Sequence, residues 1–273
     1  MKPVQSADEV FGIIQEIKTR AGANFSTNFF PVRPKIESWI ARKELQVELG
    51  QKVVFFFRKD RNLLHLFFVA ENLQALEVET KALLALSGST ITLDLVGPAN
   101  TIALTAEVLV NSGFHRYGSL IRLARSPGKE TVTGESPEIV TVNRGDAAEI
   151  LGLLEDFFDP CADQIPLLYE VESAIDARQI IAIKRKEKIA AFIHFETQGA
   201  TSAIRYWMVA KEFRDQGLGG ALLRHYFAIH PAVRRFTLWV NTANENALRK
   251  YERFGYAPDG LADQVLINQK ITA

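Results

Sequence analysis

The stretch "RDQGLGGALLRHYF", residues 214–227, places Gly217, Gly219 and Gly220 at the start of a segment that otherwise has helical spacing. Each glycine weakens a helix relative to alanine. The stretch follows an apolar, strand-like run, "SAIRYWMVA" (202–210). A strand that turns through glycines into a helix is a recurrent anion cradle. The first helical turn has unpaired N–H groups and a partial positive charge, and glycines let a phosphate approach the backbone. The spacing is G-x-G-G, so the dinucleotide fingerprint G-x-G-x-x-G is not met, and no Lys-Ser/Thr follows to make a P-loop. Close packing of the helix on a strand is the other reading that glycines alone permit.

Working outward, "GDAAEILGLLEDFF" (145–158) reads as a helix with acidic residues near its start. "RQIIAIKRKEKIAAFIHFETQ" (178–198) reads as two strands joined by a tight charged turn. "RRFTLWVNT" (234–242) is strand-like, "NENALRKYERFG" (244–255) is a helix ending at Gly255, and "DQVLINQKI" (263–271) is a final strand. The order is helix, three strands, helix, strand, helix, strand, a mixed α/β layer architecture.

The N-terminal half repeats much of this order. "PKIESWIARKEL" (34–45) is helical, "KVVFFFRKDRNLLHLFFVA" (52–70) is a hairpin, and "NLQALEVETKALLAL" (72–86) is a helix. "TITLDLVG" (90–97) is a strand, and "GFHRYGSLIRLAR" (113–125) reads as a hairpin-like end. An offset of 140 residues sets "FVAENLQALEVETKALL" against "MVAKEFRDQGLGGALLR", with Gly217 on Glu77 and Gly219 on Glu79. An offset of 142 pairs Gly113–Phe114 with Gly255–Tyr256, Tyr251 with Leu109, and Asn244 with Ile102. The polar stretch "RSPGKETVTGESPE" (125–138) reads as a linker between two copies of one fold, 1–130 and 131–273.

Composition narrows the function classes. Lysine plus arginine equals aspartate plus glutamate at 32 each, so no global field recruits nucleic acid or an anionic membrane. The single cysteine, Cys161, excludes an internal disulfide framework and a multi-cysteine metal site, and no metal is expected. "MKPVQSADEVFGIIQEIKTR" has no continuous apolar core of a signal peptide, and no run approaches the roughly 18 apolar residues of a membrane span. A cytoplasmic protein is expected.

"YWMVAKEFRDQGLGGALL" resembles the cofactor motif of the GNAT (Gcn5-related N-acetyltransferase) superfamily: an apolar strand, a short linker, then Arg/Gln-x-x-Gly-x-Gly/Ala opening a helix. Arg214, Gly217 and Gly219 fill its fixed places. "LWVNTANENALRKYERFGY" resembles the family's second motif through Asn244, Ala247, Tyr251, Gly255 and Tyr256. The resemblance covers residue 138 to the end; the N-terminal half shares it in outline only. It implies two GNAT-like domains, each a mixed, mostly antiparallel sheet flanked by helices. Glu77 and Glu79, set against Gly217 and Gly219, would repel a pyrophosphate and crowd its approach, so a degenerate first copy and one cofactor site per chain are expected.

The resemblance further implies acetyl-CoA (coenzyme A) binding. Met208 and Val209 would pair with the pantetheine arm. Arg214, Asp215, Gln216, Gly217, Leu218, Gly219 and Gly220 would cradle the pyrophosphate. Asn244 would contact the cofactor or brace the strand ends, and Tyr251 would protonate the departing thiolate. A phenol suits that role because its pKa of ~10 lies above that of a thiol. A backbone N–H at the level of Val209 would stabilise the oxyanion.

The glutamate that some members place on the cofactor strand is replaced by Ala203. Glu196 is then the preferred base. His194, Tyr206, a water chain and an amine that arrives neutral remain alternatives. Asp156, Asp159, Asp163, Glu170 and Glu172 suit a cationic acceptor or form a solvated loop. Cys161 reads as an incidental thiol. The expected activity is direct acetyl transfer to a primary amine of a small molecule, amino acid or peptide. A non-catalytic acyl-CoA sensor and a tRNA-dependent aminoacyl transferase are the competing classes; the neutral composition speaks against the latter.

Overall fold

A computed structural model describes residues 1–86, 88–128 and 139–269. Two compact units are present: Met1–Ser119 with Gly260–Ala273, and Leu120–Asp259. Each is built on a mostly antiparallel sheet with helices on both faces.

In the first unit the strands run in the order Leu45–Leu49, Val53–Asp60, Leu63–Ala70, Thr90–Pro98 and then residues 261–267. All neighbours are antiparallel except Leu63–Ala70 with Thr90–Pro98, which are parallel. The run "VVFFF" is apolar at every position because both faces are covered. Phe55 and Phe57 join the core under helices Leu73–Ala85 and Ala99–Asn111. Val54 and Phe56 join the core under helices Ala7–Ala21 and Arg33–Ala41.

The second unit has the order Ile139–Thr141, Ile180–Arg185, Lys188–Gln198, Thr201–Val209, Arg235–Asn241 and residues 120–125. Its one parallel neighbour pair is Thr201–Val209 with Arg235–Asn241. Helices Leu218–Ala228 and Glu245–Arg253 cover one face, and Ala147–Phe157 with Leu168–Asp176 cover the other. The expected charged turn is there: Lys186 and Glu187 have φ of 50° and 64°, the paired positive values of a two-residue hairpin turn.

Several features differ from the sequence expectation, among them helices Ala7–Ala21 and Leu168–Asp176, the latter in the acidic segment that carried no element in the sequence reading. "GFHRYGSLIRLAR" is no hairpin; His115–Arg125 is one continuous strand. The helix Ala99–Asn111 precedes it and gives the first unit the same helix–strand ending as the second. The last strand of each unit comes from the other half of the chain: 261–267 pair with 92–98, and 120–125 pair with 236–241. The linker read at 125–138, and the cut at 130 within it, fall mainly on 129–138, outside the described residues. No helix among the described residues is long and apolar enough to cross a membrane.

Candidate functional site

The parallel strands Thr201–Val209 and Arg235–Asn241 pair over four residues only, from Thr201↔Arg235 to Ile204↔Leu238, and then diverge. A bulge sits at the point of divergence. Across Lys188–Gln198, His194 faces Tyr206 but Phe195 faces Ile204, leaving Arg205 as the extra residue. A bulge kinks a strand and strengthens its twist, which turns 206–209 away from the neighbour.

It also exchanges the faces. Ile204 packs under helices Leu218–Ala228 and Glu245–Arg253, yet after Arg205 that face is taken by Trp207 and Val209, while Tyr206 and Met208 join the opposite core. The backbone alternates as well. Ala210 N–H donates to Ala190 at 2.9 Å, so Ala210 and Met208 turn their polar groups toward Lys188–Gln198. Trp207 and Val209 therefore present theirs to the gap. Of the two residues expected beside the arm, Val209 turns its backbone groups to the gap. Met208 does not: its backbone is taken by the neighbouring strand and its side chain is buried on the far face. Trp207 takes its place, a residue that period-two alternation from Val209 marks.

Beyond the gap the chain passes through the short turn Lys211–Phe213 to Arg214, whose guanidinium lies over the Phe157 ring at 4.7 Å. Asp215 and Gly217 have φ of 61° and 74°, and Gly217 is the N-cap of helix Leu218–Ala228. No side chain caps this helix. Its first internal bond runs from Ala221 N–H to the Gly217 carbonyl at 3.1 Å, so the amides of Leu218, Gly219 and Gly220 have no partner within the helix. Free helix-end amides of this kind, with the partial positive charge of the helix end, are chemically suited to receive an anion.

The glycines divide the work. A Cβ at Gly217 would meet nothing within 4 Å, so that space is open to a ligand. A Cβ at Gly219 would lie 3.2 Å from both Trp207 and Val209, so this glycine sets the helix flush against the strand. At Gly220 the neighbours are Arg224 at 3.3 Å and Phe254 at 3.6 Å. Asp215 and Gln216 lie exposed in the turn.

Tyr251, near the end of helix Glu245–Arg253, places its ring 5.4 Å from Trp207 and 5.9 Å from Tyr256. Burial raises its phenol above the usual range and keeps it protonated. Asn244 is the N-cap of the same helix; its side chain accepts Ala247 N–H at 3.0 Å, which explains the residue without a ligand.

Glu196 is not brought to the gap. It faces Ala203 on the closed side of the bulge and lies 3.6 Å from Arg205. Ala203 stands six residues before Val209, roughly 20 Å along a strand. The alternatives are bound up elsewhere. Burial and Arg205 lower His194 to about 3, so it is neutral. The Tyr206 hydroxyl lies between the carbonyls of Asp163 and Gln164 at 3.0 and 2.8 Å, and burial raises it to about 12.

The acidic segment builds turns. Asp159 accepts the amides of Cys161 and Ala162 at 2.7 and 3.1 Å, Asp163 accepts that of Asp159 at 2.9 Å, and Glu170 that of Leu167 at 2.9 Å. Cys161 is buried and pushed up to about 11, first by burial and then by Asp159, so it is no thiolate.

The first unit lacks the open helix end, though for a different reason from the one its glutamates suggest. The counterpart of Gly217 as N-cap is Asn72, whose side chain accepts Ala75 N–H at 2.8 Å. Glu77 and Glu79 lie further along that helix, where Glu77 pairs with Lys81 at 2.6 Å and Glu79 accepts Lys52 N–H at 2.9 Å. The 142-residue offset does hold at the later helix. Tyr256 N–H donates to the Tyr251 carbonyl, and Phe114 N–H to that of Leu109, each at 3.1 Å.

Residues 148–256 match the model of the acetyltransferase (GNAT) family. No curated protein matches the sequence. Among solved structures, a tandem GNAT protein from the clavulanic acid biosynthesis pathway is similar over 99% of both chains, at 12% identity and a TM-score of 0.63. A GCN5-related N-acetyltransferase from Sphaerobacter thermophilus is similar over 97% of this chain and 94% of its own, at 15% identity and a TM-score of 0.58. A probable N-acyltransferase from Enterococcus faecalis covers 97% of this chain and 71% of its own, at 11% identity and a TM-score of 0.59. At these identities the likeness is one of fold.

Proposed function

We propose, from a chain whose residues 148–256 carry an acetyltransferase (GNAT) family domain, that the second unit moves an acetyl group from acetyl-CoA to a primary amine of a small molecule, amino acid or peptide. The observation that carries this is the gap beside Trp207 and Val209 continuing into the uncapped helix end at Gly217. A strand edge suits the amides of a pantetheine arm, and an open helix end suits a pyrophosphate. The two features follow one another in the order in which one acyl-CoA molecule needs them.

Bound acetyl-CoA supplies the acyl group and a sulfur leaving group. The Val209 N–H, or that of Trp207, donates to the carbonyl oxygen as negative charge develops there. The Tyr251 hydroxyl donates its proton to the sulfur as the C–S bond breaks and the C–N bond forms. With Glu196 directed to Arg205, the amine enters neutral, and the proton it loses as the amide forms passes to solvent, from which the Tyr251 phenolate is reprotonated. Held alignment of the amine and thioester supplies most of the acceleration.

The same displacement of Glu196 favours a second reading, a non-catalytic acyl-CoA sensor. Calorimetry with acetyl-CoA and a thiol-release assay over an amine panel separate the two. Turnover that falls about ten-fold or more in Tyr251→Phe, with binding retained, supports the enzyme. Tight binding with no turnover on any amine supports the sensor, and no binding refutes both.

A further inference from the structure

In the first unit, Leu63–Ala70 and Thr90–Pro98 repeat the diverging arrangement: they pair in parallel from Leu63↔Thr90 to His65↔Thr92 and then separate. Here the chain itself fills the gap. Ser26 and Thr27 pair antiparallel with Ala70 and Val69, on the side of that strand away from Val53–Asp60. The Thr27 hydroxyl donates to the Phe68 carbonyl at 2.6 Å.

Asn28 spans the two diverging strands. Its Nδ2 donates to the Leu66 carbonyl on one and the Asp94 carbonyl on the other, both at 3.1 Å, while its Oδ1 accepts Phe68 N–H at 2.7 Å. Phe29 anchors the segment, with its ring 4.7 Å from Phe67 and 5.0 Å from Phe56. Phe68 and Ala70 stand third and fifth after the last parallel pair at His65, as Trp207 and Val209 do after Ile204. The edge groups that the second unit presents to its gap are those that the first unit satisfies from Ser26–Asn28.

We infer that Ser26–Asn28 is an internal replacement for the acyl-CoA arm, which makes the first unit a permanently self-occupied copy and leaves one acyl-CoA site per chain. The reading of the second unit as an acyl-CoA site enters only in naming what is displaced. The grip of the segment stands on its own hydrogen bonds. A tethered segment forms its contacts at a high effective concentration, so a free ligand with similar hydrogen bonds cannot compete. Removal of the Asn28 amide would leave three strand groups unsatisfied. Asn72 closes the helix end as well, so neither the arm nor the phosphate end has a place.

Native mass spectrometry with acetyl-CoA and hydrogen exchange of the Leu63–Ala70 segment test this on the full chain. Wild type is expected to bind one equivalent, with the Phe68 amide protected before addition and unchanged after it. Asn28→Ala is expected to speed Phe68 exchange about ten-fold, the effect of losing one buried hydrogen bond. Should that variant not fold, Thr27→Val keeps Asn28 and removes only the two hydrogen bonds of the Thr27 hydroxyl, to the Phe68 carbonyl and from Phe29 N–H, and is expected to shift exchange in the same direction by a smaller factor.

A second equivalent of acetyl-CoA, ligand-dependent protection at 66–70, or an unprotected Phe68 amide in wild type would overturn the inference. No acetyl-CoA binding, with Phe68 protected in wild type and deprotected in Asn28→Ala, would support self-occupancy while refuting the acyl-CoA reading of the second unit.

Discussion

Substitutions at Gly217 test whether the open helix end is an anion site. Gly217 has φ of +74°, and a Cβ there meets nothing within 4 Å, so Gly217→Ala adds conformational strain without a clash. A left-handed backbone costs a non-glycine residue about 1–2 kcal/mol. At this domain size that lowers the Tm by about 2–4 °C per kcal/mol. The new methyl group also enters the space where a phosphate would meet the amides of Leu218–Gly220, and acetyl-CoA affinity is expected to fall about ten-fold, or ~1.4 kcal/mol. Gly217→Asn separates the two effects. Asparagine tolerates the left-handed region, so stability returns, while its side chain still fills the ligand space. Scanning fluorimetry without ligand reads the first effect and calorimetry with acetyl-CoA the second. S-acetylpantetheine, which has no pyrophosphate, should bind all three proteins alike. The reasoning fails if Gly217→Asn binds acetyl-CoA as tightly as wild type.

Gly219→Ala is expected to act through packing, since its Cβ would press on Trp207 and Val209 at 3.2 Å. Overpacking of about 1–3 kcal/mol outweighs a helix gain of at most ~1, and thermal unfolding should show a net loss. Burial holds Tyr251 protonated, so a pH–rate profile should rise as the amine loses its proton and show no fall attributable to this phenol below pH ~10. His194, lowered to about 3, contributes stability above its unfolded value of ~6.5 that is lost as pH falls through that window. Denaturant melts from pH 7 to 4 should show this slope, and His194→Gln should flatten it. Asp263, raised to about 8 by burial and by Asp94, is protonated in the fold. Stability of the first unit should fall as pH rises from ~4 towards 8, and Asp263→Asn should remove that slope.

Most of the order of elements in the second unit was legible because it rests on local signals: period-two strands, helical spacing, and the Gly–aromatic pair at 255–256. The bulge was not. Arg205 carries no glycine or proline to mark it, yet it exchanges the faces of everything after it, which is why Trp207 rather than Met208 meets the gap. The helix Ala99–Asn111 is not legible in the sequence because its isoleucine, threonines and valines favour strands and no side chain caps its start. Among the carboxylates of the acidic segment, Asp159, Asp163 and Glu170 accept backbone amides a few residues away, a local use that their charge alone does not announce. The segment at 26–28 binds strand positions 38 to 66 residues distant, beyond the reach of any local pattern.

Where two parallel strands part, each exposes a row of N–H and C=O groups that needs partners. The second unit presents that row at Trp207 and Val209 and follows it with a helix end whose amides are uncapped. The first unit answers the same need with Thr27 and Asn28 and closes its helix with Asn72. In each unit the strand gap and the helix end agree, both open or both closed. The proposed acyl-CoA, which would contact both features of the second unit, accounts for that agreement. Had the glycines served helix packing alone, Gly219 would have sufficed, and the left-handed, unfilled position at Gly217 would have no counterpart in the chemistry of the gap.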